Sequence, residues 1–237
     1  RRLGLLGGLA SSTRQPGSIM NSSQLRALIV DDPIEAWNAA GFAGEDVVTI
    51  GSTTIVTTAA SENRGDGHRH GIVGASIDGV GELDGLQLGT WRAAAAEVDT
   101  IEHPNGVVAI DHVVVMTPDC DRTTEAFEAQ GIEARRVRKI ELADGDRRQT
   151  FFWLGDVICE LVGPDTADGD GAAQWWGLAL TVRDLEATTA MLGDFVTPIK
   201  PAVQSGRSVC TLRRDVGLGV PILFISEHVT SDEQTTP

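Results

Sequence analysis

Basic side chains are scarce in this chain. Nineteen Lys and Arg stand against 34 Asp and Glu, a formal net charge of -15. Phosphate binding needs clustered cations and the acidic field repels a duplex, so a nucleic-acid partner is excluded. Cysteine is rare too: Cys120, Cys159 and Cys210 are an odd set without CxxC spacing. That excludes a disulfide framework and fits reduced thiols in a cytoplasm; Cys159 and Cys210 sit in apolar, strand-like runs and are expected to be packed. No run approaches the roughly 18 apolar residues that span a bilayer, so a membrane partner is not expected. The phosphate loop GxxxxGK[ST] and the nucleophile elbow GxSxG are also missing. What is present is ordinary: 41% hydrophobic and 22% charged residues over 237 positions, enough for a globular core in one large or two small domains.

Residues 1–19 open with RRLGLLGGLA, which resembles a basic and then an apolar targeting region but is too short and glycine-rich for one. They are read as a leader or non-native extension outside the fold, ahead of Met20. Residues 20–100 read as a degenerate N-terminal βαβββ module. LRALIV is a strand, Asp32-Pro33 starts the helix IEAWNAA, Gly41 stops it, and VVTIG, TTIVTTAA and GIVGASIDGV supply strands. WRAAAAEV at 91–98 has helix formers, and His103-Pro104-Asn105-Gly106 is a turn. A second module, 108–165, opens with VVAIDHVVVM, starts a helix at Asp119, stops at Gly131 and continues through ARRVRKIEL, QTFFWL and VICELV. A polar linker leads to a third, 174–228, which restarts with GLALTVRDLEATTAMLGDF; 229–237 is a polar tail. Placing Asp184 on Asp119 also places Thr188-Thr189 on Thr123-Thr124, the self-similarity of a repeated unit. The fold class is therefore α+β, with tandem βαβββ modules and a mixed sheet.

Two residues stand out chemically. His112 lies in an apolar first strand, where a histidine is either a ligand or a hydrogen-bonded core residue. Glu160 lies inside VICELV on the face of Ile158 and Val162, where a carboxylate is costly to bury unpaired. Trp153, Trp175, Trp176 and Phe224 either shape an aromatic pocket or pack the core. Arg213 and Arg214 either pair a substrate carboxylate or end a strand at the surface. The run from Arg135 to Lys139 reads as one strand's wet face, and His68 and His70 fall in a solvated loop.

Consecutive βαβββ units, with IDHVVVMTPD opening one and ICELVGP closing it, resemble the vicinal oxygen chelate superfamily of glyoxalase I, extradiol dioxygenases and bleomycin-resistance proteins. The resemblance is clear over 108–226 and loose over 25–80. It implies that two modules pair into a cupped half-barrel, with metal ligands on the first and last strands of each. It makes His112 and Glu160 ligands of a divalent Zn, Fe, Ni, Co or Mn ion and the catalytic residues. In the third module Gly177 then stands opposite His112 and Phe224 opposite Glu160, and neither side chain binds metal. The ligand set is incomplete, to be filled by His68, His70, His103, His228 or another subunit. Two functions are implied. One is a metal-dependent lyase, isomerase or dioxygenase that chelates neighbouring oxygens of a small metabolite and stabilises an enediolate, with Glu160 as ligand or general base. The other is a metal-free protein that sequesters a small cationic or aromatic compound. An odd module count leaves a sheet edge for a homodimer.

Overall fold

The computed structural model describes residues 23–58, 71–90, 101–141 and 145–227. The segment WRAAAAEV and the candidate ligands His68, His70 and His228 lie outside the described residues.

The second and third units form one sheet. β5 (Val107–Met116), α2 (Cys120–Ala129), β6 (Arg136–Ile140), β7 (Arg147–Leu154) and β8 (Val157–Pro164) make up the former. β9 (Gln174–Val182), α3 (Leu185–Leu192), β10 (Lys200–Pro201), β11 (Ser208–Thr211) and β12 (Ile222–Ser226) make up the latter. The eight strands run β10-β11-β12-β9-β5-β8-β7-β6. In each unit the first strand lies parallel to the last, and the two first strands meet antiparallel. The helix starts repeat in detail. Asp119 and Asp184 each accept hydrogen bonds from two backbone N–H groups of the first turn, leaving fewer orphan donors there. Thr123 and Thr188, both buried, each set the side-chain hydroxyl within hydrogen-bond distance of the cap residue's carbonyl.

The first unit keeps the chain order but not the sheet order. β1 (Leu25–Val30), α1 (Ile34–Ala39), β2 (Val47–Ile50), β3 (Thr53–Thr57) and β4 (Ile72–Ile77) form a sheet in the order β2-β3-β1-β4. β3 lies parallel to β1, while β4 runs antiparallel to it as β9 does to β5. The unit is thus one strand short on its closing side, and its last strand stands where a following unit's first strand would be.

Side chains on the helix-covered face of the large sheet build its core: Val113, Val115, Cys159 and Leu161 are fully buried, and Phe127 of α2 stacks on Phe152 at 4.3 Å. All three cysteines are free and buried; burial pushes the Cys210 thiol up to about 11. No helix among the described residues is long and apolar enough to cross a membrane.

Two carboxylates clasp the sheets together. Asp32, fully buried, accepts from the backbone N–H groups of Gly219 and Val220 at 2.8 and 3.2 Å. Asp84 accepts from Arg122 Nε and its terminal nitrogen at 2.7 and 3.1 Å, and from the Thr123 hydroxyl. Asp84→Asn keeps the shape but removes the charge that this fork pairs with. A loss of about 2 kcal/mol, the scale of a charged hydrogen bond, is expected in chemical denaturation, and an unchanged midpoint would contradict the clasp.

Candidate active site

Strict alternation along β5 would send Asp111 and His112 to opposite faces. The ladder instead jumps from Ile110 opposite Leu180 to His112 opposite Ala179, a bulge with Asp111 as the extra residue. A bulge re-aims side chains, and here it brings Asp111 beside His112 on the cup face, away from the helices.

A chain of five side chains crosses that face. His112 Nδ1 donates to Asp111 Oδ1 at 2.9 Å, and its Nε2 lies 3.1 Å from Glu160 Oε2 in an ion pair. With a carboxylate on each nitrogen, both must carry a proton, which makes the ring an imidazolium. Burial by itself would lower the His112 pKa, but the hydrogen bonds and charges of Asp111 and Glu160 outweigh it and raise the value to about 9. Burial likewise opposes ionisation of Asp111, yet His112 and Arg207 hold its carboxyl down at about 2. Arg207, with a side chain only 1% exposed, donates to Asp111 Oδ2 at 2.7 Å, to the Ser226 carbonyl at 2.7 Å and to Gln204 Oε1 at 2.8 Å. At the other end the Gln149 amide donates to Glu160 Oε1. Gln149 Oε1 is buried without a partner, an acceptor left over in the site.

Of the residues read from the sequence, the structure therefore brings His112 and Glu160 into contact. Trp153 shares their face through its partner Ile158 and is 48% exposed. The other three pocket candidates are elsewhere. Phe224 is fully buried and pairs with Leu180 and Cys210 in the core beneath α3, so it lines no cup. Its expected place opposite Glu160 also shifts. Glu160 stands opposite Val114 and Phe224 opposite Leu180, but Val114 is five residues ahead of its cap Asp119 and Leu180 only four ahead of Asp184. That odd residue moves the cup-face counterpart to Leu223. Trp175 is buried, its indole N–H donating to the Gln87 carbonyl, and it lines a cavity of about 440 Å³ between the two sheets with Trp176 and Arg214. Arg213 is exposed and donates to the Val196 carbonyl at 3.1 Å. Asp111, Gln149 and Arg207 were not picked out by sequence reasoning. Asp111 is adjacent to His112 in the chain, but nothing in the letters marks the bulge.

No protein-family model matches the sequence, and no curated protein does. Solved structures do match. A mutant of 4-hydroxymandelate synthase from Streptomyces coelicolor aligns with 89% of this chain and 94% of its own at 14% identity, with a TM-score of 0.58. The chain has the vicinal oxygen chelate fold. Methylmalonyl-CoA epimerase from Mycobacterium tuberculosis covers 51% of this chain and 89% of its own at 16% identity, TM-score 0.40. The Streptomyces coelicolor epimerase, solved in complex with 2-nitronate-propionyl-CoA, covers 52% and 99% at 20% identity, TM-score 0.40.

Members of this fold class are expected to hold a divalent metal, and the residues present can be tested for it. Asp111 on Nδ1 resembles the outer-shell carboxylate that orients a ligating imidazole. His112 Nε2 and Glu160 then give two donors, where a catalytic metal takes three. Among the described residues no three of His, Cys, Asp and Glu gather as ligands. His103 is spoken for: its Nδ1 accepts from Ala43 N–H and its Nε2 donates to the Thr49 carbonyl. Burial holds its pKa below the usual histidine value. On the third unit's side Gly177 has no room for a ligand, since a Cβ there would lie 2.8 Å from the Pro221 carbonyl oxygen, and Leu223 is apolar. The described residues do not fit a catalytic metal.

Proposed function

We propose that the cup binds a small oxygen-bearing molecule without a metal, with His112 as the cation that faces the ligand's oxygen. The observation carrying this reading is that both ring nitrogens of His112 are bonded to carboxylates while the matching half of the cup has Gly177 and Leu223 where donors would be needed. An imidazolium held this way stabilises negative charge on a ligand oxygen as a fixed, preorganised positive charge, its two N–H groups staying with the carboxylates. Gln149 Oε1 offers an acceptor to a ligand hydroxyl or amide, and Trp153 an apolar wall.

A second reading, proton transfer, has its own support. Glu160 and Asp111 flank a proton-bearing ring, so His112 can hand the Nε2 proton to a ligand oxygen when Glu160 turns aside, and Asp111 stabilises the ring in either state. The protein would then be an acid–base enzyme on the same small molecule.

Metal content decides between these readings and a metal-dependent one. Purified protein is expected to hold far less than one equivalent of any divalent ion by elemental analysis, and chelator is expected to leave its melting temperature unchanged. Stoichiometric metal that His112→Ala and Glu160→Gln remove would overturn the proposal.

A further inference from the structure

The strand β6 carries Arg136, Arg138 and Lys139, and its register separates them onto two faces. Arg136 stands opposite Phe151 and Arg138 opposite Gln149, whereas Lys139 stands opposite Arg148. Cross-strand partners project to the same side. Phe151 in turn is opposite Glu160, and Gln149 bonds it. Arg136 and Arg138 therefore stand on the cup face with the His112 centre. With strands about 4.8 Å apart, the Arg138 backbone is one strand from Gln149 and the Arg136 backbone two strands from Glu160. Arg147 follows on the same face, opposite Ile140.

The two faces differ in how their cations are neutralised. On the helix side Lys139 bonds Asp165 and Arg148 bonds Asp121, at 2.6 Å each. On the cup face neither Arg136 nor Arg138 has an ion pair or hydrogen bond among the described residues. Two like charges two residues apart on one strand face repel each other, and a chain with a net charge of -15 has carboxylates enough to pair them. Leaving them open on the same face as the His112 centre suits an incoming anion. The planar guanidinium fork matches carboxylate and phosphate oxygens better than any other side chain. Phe151, half-buried, and Trp153 supply apolar contact between the arginines and the His112 centre.

We propose that Arg136 and Arg138 form an anion subsite, so that the cup's ligand carries a carboxylate or phosphate at the end remote from His112. The proposal rests on the reading of the cup as a ligand site and reverses the cationic ligand that the acidic composition suggests.

The test follows the arginine side-chain Nε–H resonances of full-length protein titrated with benzoate, inorganic phosphate, neutral benzamide and benzylamine. Resonances lost in Arg136→Gln and Arg138→Gln assign the signals. Benzoate or phosphate is expected to shift both, benzamide and benzylamine neither. A response to benzoate alone identifies a carboxylate, and one to phosphate alone a phosphate. The double variant Arg136→Gln/Arg138→Gln, made on side chains outside the core, is expected to weaken the anion at least about tenfold, the loss of a charge-assisted hydrogen bond. Equal shifts with benzamide, no shift with either anion, or wild-type affinity in the double variant would overturn the subsite. Anion binding kept in His112→Ala and lost in the double variant supports it even if His112 plays no part. The opposite pattern overturns it while leaving the cup as a binding site.

Discussion

Arg207→Ala is expected to destabilise the protein by about 3 to 5 kcal/mol, the cost of leaving a buried carboxylate without its partner. The guanidinium is almost wholly enclosed and joins Asp111, the Ser226 carbonyl and Gln204. Removing it strands Asp111, whose ionised form depends on Arg207 and His112. For a chain of this size such a loss lowers the melting temperature by roughly 10 °C. Taking out both charges together, as Arg207→Met with Asp111→Leu, should cost less than the sum of the single changes, because no uncompensated ion then remains. Denaturant melts of the four proteins measure this. A single-variant loss under 1 kcal/mol, or simple additivity, would show that the pair is not coupled.

Stability should also fall as pH rises from 6.5 to 9. His112 has a folded pKa of about 9, against 6.5 for an ordinary histidine. A raised pKa means that its stabilisation is fully present below pH 6.5 and is lost as pH climbs through 9. The difference corresponds to about 3 kcal/mol at 1.36 kcal/mol per unit. Asp111 works in the other direction. Its depressed pKa stabilises the fold above about 3.8, and that contribution disappears as pH falls toward 2. The two together predict a plateau between the acid limb and pH 6.5. Midpoints of urea melts across this range should trace it for the wild type, and His112→Gln should flatten the alkaline limb. A wild-type profile flat from pH 6.5 to 9 would refute the imidazolium.

The repeat was readable because its signals are local. Asp119 and Asp184 cap helices through their own first turns, and glycines stop those helices, so the strand and helix order follows from neighbours in the chain. The meeting of His112 with Glu160 was readable from the resemblance, since first and last strands of a module lie parallel and adjacent. Phe224 was not placed correctly because VPILFI is apolar throughout: Phe224 packs in the core, Ile225 on the cup side, and both are nearly fully buried. A strand buried on both faces has no alternation to reveal which side a residue takes. Asp111 was hidden by the opposite problem, since period-two counting assigns it to the wrong face. Arg207, 96 positions from Asp111 in a polar loop, had no local mark at all. The sheet order of the first unit was equally beyond reach, because strand partners are chosen by tertiary contacts.

Contacts between Arg207 and Asp111 give the centre a composite origin. His112, Glu160 and Gln149 all come from one half of the duplicated sheet, while the guanidinium that fixes Asp111 arrives from the other. A lone half would carry the imidazole and its carboxylates but leave Asp111 without its cation. The polar array thus belongs to the joined pair, and its geometry is inherited from the seam where β5 and β9 run side by side.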